Sequence, residues 1–217
     1  GKSFGVETVL EKYNTLTTLG NMPPKYEVVK GAMSPIGLYC KLYNFSSRDN
    51  VLVFDDCDSI LLDDLSLNIL KAALDSKKVR KICWNTDSHM LRREGVPDQF
   101  EFAGSVIFIT NIKFDNVKSK KLRDHLEALE SRCHYIDLTI DTLREKLLRI
   151  QQIVKDGMLN SYALPEETKQ QVVEYIWDHK RRLREVSLRT VLKIADLAKA
   201  FPEQWQDMAT STVLKPV

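Results

Sequence analysis

The chain has 217 residues, 43% of them hydrophobic and 29% charged, with 32 Lys and Arg against 30 Asp and Glu for a formal net charge of +2. This is the composition of an ordinary water-soluble folded protein, long enough for one large domain or two small ones. The near-neutral balance gives no support to wholesale phosphate-backbone binding, so any nucleic-acid contact has to come from local patches. No apolar run approaches the roughly 20 residues of a membrane-spanning helix, and no cationic, apolar leader opens the chain. No membrane partner is therefore expected. The four cysteines, Cys40, Cys57, Cys83 and Cys133, are widely spaced without a C-x-x-C pair. That speaks against a zinc site and a disulfide framework and fits a reducing, cytoplasmic setting.

In chain order, residues 2–10 are helix-compatible, and 25–30 (KYEVVK) are β-branched and aromatic enough for a strand. Residues 34–43 read as a short helix with Pro35 in its first turn, where a missing N–H costs nothing. Residues 51–54 (VLVF) are apolar without alternation and stop at acids, the pattern of a parallel strand buried on both faces. A helix is predicted over 65–74, strands over 80–84 and 105–110, a helix over 122–130 and a last short strand over 135–138. Strands alternating with helices predict a three-layer α/β/α parallel sheet. Beyond 138 only helices are predicted, over 141–154, 165–184 and 187–201, the second opened by Pro165 with Glu166 and Glu167 at its positive end. The expected division is an α/β body over residues 1–139 and a helical domain over 140–217.

The residues able to carry chemistry fall at the ends of these elements. Gly1-Lys2-Ser3 running into a helix is the second half of G-x-x-x-x-G-K-[ST]; the first half would lie upstream of Gly1. In such a loop backbone N–H groups surround a phosphate, the lysine reaches the β- and γ-phosphates, and the serine hydroxyl ligates Mg²⁺. Asp55 and Asp56 follow the apolar run 51–54, which places two carboxylates at the strand edge where ligands sit in open α/β sheets. Asp55 would serve the Mg²⁺ shell and Asp56 the attacking water, with Asp58 either a helix cap or a reserve for Asp56. Residues 105–109 end in Thr110-Asn111, where Asn111 is placed to bond a γ-phosphate or the water, or simply to make a turn. Arg132, after the helix over 122–130, is either a solvated arginine or one that reaches a neighbouring subunit's phosphate. Arg189 opens a helix behind Ser187, its N-cap.

The order GKS, VLVFDD, VIFITN, ALESRC and a helical domain carrying SLRT resembles the AAA+ ATPase superfamily of P-loop NTPases over nearly the whole chain. It looks most like AAA ATPases encoded by tailed bacteriophages, and Ser131-Arg132-Cys133 is similar to the triplet of clamp-loader subunits. The resemblance implies that Lys2 and Ser3 match the Walker A lysine and serine, Asp55 the Walker B metal aspartate and Asn111 sensor 1. Likewise Arg132 matches the arginine finger and Arg189 the sensor 2 arginine. The 1–139 unit would then be the nucleotide-binding core and 140–217 its lid. Asp56 departs from the pattern, standing one methylene short of the usual glutamate. Implied partners are ATP, Mg²⁺ and further copies of the chain in a homo-oligomeric ring. Three functions follow as alternatives: a DNA motor of the helicase or helicase-loader kind in phage replication, a protein remodeller, or a nucleotide-binding assembly module with little hydrolysis.

Three basic patches bear on the choice. Lys77, Lys78, Arg80 and Lys81 precede Trp84, a combination able to grip a nucleic-acid backbone and stack a base, though a solvated loop before a buried tryptophan is the favoured reading. Lys118, Lys120, Lys121 and Arg123 form a second patch, and residues 179–184 (HKRRLR) a third. His89, His125, His134 and His179 have no metal-ligand spacing with cysteine, and no nucleophile elbow supports a Ser-His-Asp hydrolase.

Overall fold

Side-chain alternation along three strands decides what packs where. In the computed structural model, which describes residues 2–17 and 24–216, β1 (Tyr26–Lys30), β2 (Val51–Asp55) and β5 (Ser105–Ile109) form a parallel sheet in the order β1-β2-β5. Leu52 and Phe54 of β2 point to one face, into a core shared with Leu38, Leu42, Leu67, Leu70, Leu126 and Leu129. Those residues belong to α2 (Pro35–Asn44), α3 (Asp64–Ala73) and α5 (Lys120–Glu130). Val53 points to the other face, where α1 (Lys2–Thr17) covers it with Leu10 and Val6. A strand apolar on both faces therefore sits between two helical layers.

The same alternation places Asp55 and Lys30, the last residues of β2 and β1, on the α1 face. They are register partners, in phase with Val53 and Val28 respectively. The start of β5 is crowded: a Cβ on Gly104 would lie 2.3 Å from the Phe45 carbonyl oxygen, and Ala103 and Gly104 both donate to Ser46 O. Glycine is required there by this close approach.

Two strand expectations are corrected. Residues 80–84 do not join the parallel sheet; β3 (Lys81–Cys83) pairs antiparallel with β4 (Gln99–Glu101) in a separate two-stranded sheet. Only Ile82 of β3 is buried, and a one-sided strand does not suit a sheet covered by helices on both faces. The strand expected over 135–138 is not formed: the segment has no regular structure, and Tyr135, Ile136 and Leu138 are exposed. Without a paired edge nothing rewards the extended backbone. The helix α4 (His89–Arg93) and the 3₁₀ turn Asp58–Leu61 are additional elements.

The chain divides into two units, Gly1–Ile136 and Asp137–Val217. The second is all-helical: α6 (Leu143–Ile153), α7 (Glu166–Asp178), α8 (Leu188–Ala200) and α9 (Trp205–Val213) enclose Leu147, Ile150, Ile176, Ile194 and Trp205. A capping box opens α6, with Thr142 and Glu145 satisfying each other's backbone N–H. Helix α7 ends at Asp178, short of the expected 184, because the chain turns at His179 to lay Leu183 against Leu214 as an isolated antiparallel bridge. Gly157 lies beyond α6 at φ +100, where a Cβ would also meet Asn160 Nδ2 at 2.6 Å.

Tyr39 ties the first core to its loops. It is fully buried, donates to Pro97 O at 2.9 Å, and meets Trp84 and Phe100 edge-on with ring centroids 5.5 and 5.1 Å away. Burial pushes its phenol from 10.0 up to about 12. The neutral form is favoured in the folded state, so this stabilisation is complete below about pH 10 and is lost as the pH rises toward 12. Tyr39→Phe removes that alkaline loss and the bond to Pro97, which contributes about 1 kcal/mol at neutral pH. A pH series of denaturant melts should show the variant less stable at pH 7 and the gap narrowing above pH 10.

Candidate functional site

The first turn of α1 meets the C-terminal edge of the parallel sheet. Ser3 Oγ donates to Asp55 Oδ1 at 3.0 Å, as the shared face of α1, Val53 and Asp55 dictates. Lys2 Nζ donates to Thr110 O at 2.9 Å and Asn111 Oδ1 at 2.7 Å, just past β5. Asn111 Nδ2 in turn donates to Asp56 Oδ1 at 3.2 Å. Five residues from three segments of the chain, Lys2, Ser3, Asp55, Asp56 and Asn111, thus meet at one sheet edge.

Burial differs among them in a chemically useful way. Asp55 is 4% exposed, whereas Lys2, Asp56 and Asn111 are open to solvent. The buried Asp55 carboxylate is balanced by Ser3 and by Lys30 Nζ, 3.5 Å from its Oδ2. Lys30 also binds Glu7 at 2.8 Å, and that hydrogen bond, more than Asp55, raises the lysine above its ordinary range. Lys2 has only neutral acceptors, with no carboxylate within 4.0 Å among the described residues. The site therefore presents an uncompensated ammonium beside a buried carboxylate and a hydroxyl.

Local backbone geometry aims the second acid. Asp56 N continues the ladder with a bond to Ile109 O at 3.0 Å, and the residue then turns left-handed at φ 53. A non-glycine residue there costs about 1 kcal/mol, and such conformations concentrate at functional sites. Asp58 is engaged within the loop: its Oδ1 accepts from Thr110 Oγ1 at 2.7 Å, while Thr110 Oγ1 accepts from Ile112 N at 3.0 Å. Asp58 and Thr110 thereby brace the loop that carries Asn111.

Gly1 falls outside the described residues. Arg132 is exposed after α5, donates to Ala128 O, and lines an open depression of about 520 Å³ with Leu74, Asp75, Ser76, Arg80 and Ser131. Arg189 is exposed in the first turn of α8, where Ser187 accepts from Thr190 N at 3.3 Å. Of the first basic patch, Lys77, Lys78 and Lys81 are exposed, but two members are built into the fold. Arg80 donates to Ala73 O and Gly104 O at 3.0 and 2.9 Å over the Phe102 ring. Trp84 is half-buried and packs on Tyr39 with its indole nitrogen buried. In the second patch Lys121 is paired with Asp64 and Arg123 donates to Val117 O.

Lys30 is the part of the site that motif reading misses. Lys30 was discoverable from phase: it closes β1 as Asp55 closes β2, in direct register.

No family model matches the chain, and no solved structure matches it significantly. The chain is similar to the "uncharacterized 36.7 kDa protein in nrdC-mobD intergenic region" of Enterobacteria phage T4, at 35% identity over 213 residues. That match covers 97% of this chain and 64% of the phage protein, so the chain spans less than two thirds of its relative. The similarity supports a phage origin; the relative's description names no activity.

Proposed function

We propose that the site binds Mg²⁺–ATP and hydrolyses it, in a P-loop fold of the AAA+ kind with the all-helical unit as lid. The observation that carries this is the meeting of Lys2, Ser3 and Asp55 at one sheet edge, with the lysine lacking a counter-charge and the acid buried. The donor set fits Mg²⁺, which takes one or two carboxylates and leaves its other positions to water and phosphate. Bound Mg²⁺ would neutralise charge on the phosphate oxygens.

Each residue then has a stated task. Ser3 Oγ and Asp55 Oδ1 are the oxygens offered to the ion. Lys2 exchanges its carbonyl and amide acceptors for phosphate oxygens, which are stronger acceptors because they are charged. Asn111 holds Asp56 and contacts the terminal phosphate, and Asp56 accepts a proton from the attacking water. Arg132 follows α5 and, among the described residues, makes no hydrogen bond or ion pair with Lys2, Ser3, Asp55, Asp56 or Asn111, which suits a residue acting on the site of a neighbouring copy in a ring. Arg189 is the arginine that the resemblance assigns to the nucleotide's phosphates.

For the work performed, a DNA motor is preferred over a protein remodeller, on the exposed Lys77, Lys78 and Lys81. The short, left-handed Asp56 supports a second reading, an assembly module that binds ATP and turns it over little. Phosphate release by the full-length protein, with and without single-stranded DNA, separates them. Stimulated turnover is expected; tight ATP binding without turnover would favour the module, and no ATP binding would overturn both.

A further inference from the structure

We infer that the turn following α7, together with the segment after α9, is a nucleic-acid backbone-binding surface on the second unit. Residues 179–184 and 213–215 are zipped together: Arg184 N donates to Val213 O at 2.9 Å and Lys215 N to Arg182 O at 2.8 Å, around the Leu183–Leu214 bridge. Leu183 and Leu214 are 4% and 2% exposed. Alternation therefore sends Arg182, Arg184 and Lys215 to solvent as surely as it sends the leucines inward. Arg181 is exposed beside them, and Lys180 is held nearby by a bond to Trp177 O at 3.0 Å.

The charges are uncompensated. Among the described residues no carboxylate lies within 4.0 Å of Lys180, Arg181, Arg182, Arg184 or Lys215. By contrast, Arg92, Arg93 and Lys121 of the first unit all have acidic partners. The register also sets Arg182 directly opposite Lys215. Like charges across a strand pair are destabilising, and a bound phosphate between them would relieve that repulsion.

Nucleic acid suits this strip better than a bilayer surface. An interfacial membrane site sets exposed apolar residues beside its cations, and here the interleaved leucines point into the protein. Arginine forks match phosphate oxygens bidentately. Lys180 Nζ lies 6.0 Å from the ring centroid of the half-buried Trp177, and the other four cations have no ring contact among the described residues, so the surface reads mainly the backbone. This inference is independent of the nucleotide site and needs no ATP.

The test is anisotropy of a labelled mixed-sequence single strand and duplex titrated with the full-length protein, without nucleotide, across a salt series. Arg182→Glu with Arg184→Glu should weaken binding about tenfold or more at low salt. It should also reduce the slope of log affinity against log salt by about two, as loss of two phosphate contacts requires. Arg182→Lys with Arg184→Lys should keep the slope. The same charge change at exposed Lys146 and Arg149 on α6 should alter it little. The inference is overturned if the glutamate variant keeps the wild-type slope, or if the α6 control loses as much. Binding of wild-type protein to anionic vesicles but not to DNA would overturn it as well.

Discussion

Lys2→Ala in the full-length protein is expected to abolish ATP binding, with affinity falling by about a hundredfold or more in calorimetric titration. The side chain's present partners are a carbonyl and an amide oxygen, and neither carries a charge to compete with phosphate. Each charge-assisted bond contributes about 1.5–3 kcal/mol, so losing two of them in a partly desolvated site accounts for that magnitude. Lys2 is exposed and is not part of the apolar core. The variant should therefore melt within a degree or two of wild type, which separates lost binding from lost folding. Retained affinity in a folded Lys2→Ala protein would remove the phosphate-binding role.

Arg132→Ala should leave ATP binding within about twofold while hydrolysis falls about 10³-fold, the scale of an arginine finger supplied in trans. Among the described residues its side chain donates only to Ala128 O, so truncation should cost little stability. The proposed sharing of the site between copies gives a sharper readout: mixing Arg132→Ala with Asp56→Asn subunits should recover part of the activity absent from either alone. Recovery requires that one copy's intact acid meet another copy's intact arginine. No recovery, together with unchanged turnover in the Arg132 variant, would assign the residue to the depression it lines with Ser76 and Ser131.

Much of this arrangement was legible in the residues. The unbroken apolar run 51–54 predicts a strand between two helical layers, and Asp55 follows from its phase. Ser34, Asp63, Ser119 and Thr142 cap helices through their side chains, a local effect that propensity captures. What depends on distant partners was not legible. Residues 80–84 and 135–138 carry similar strand-like composition, but the first finds a two-stranded partner in Gln99–Glu101 and the second finds none. The residues favour a buried Trp84, but the ring it packs on, Tyr39, is far away in sequence. Asp58 and Thr110 brace each other across 52 residues, a contact that no local pattern reports. Helix α9 escaped because its run Trp205–Val213 is dominated by small and polar residues; only Trp205, Ala209 and Val213 are buried.

The most direct test is Mn²⁺, as a spectroscopic stand-in for Mg²⁺, titrated by electron paramagnetic resonance into the full-length protein with and without ATP. One tightly held ion per chain is expected, appearing only with ATP and lost in both Ser3→Ala and Asp55→Asn. Nucleotide-dependent Mn²⁺ binding that survives both substitutions would contradict this expectation, as would failure of the wild-type protein to hold the ion in the presence of ATP.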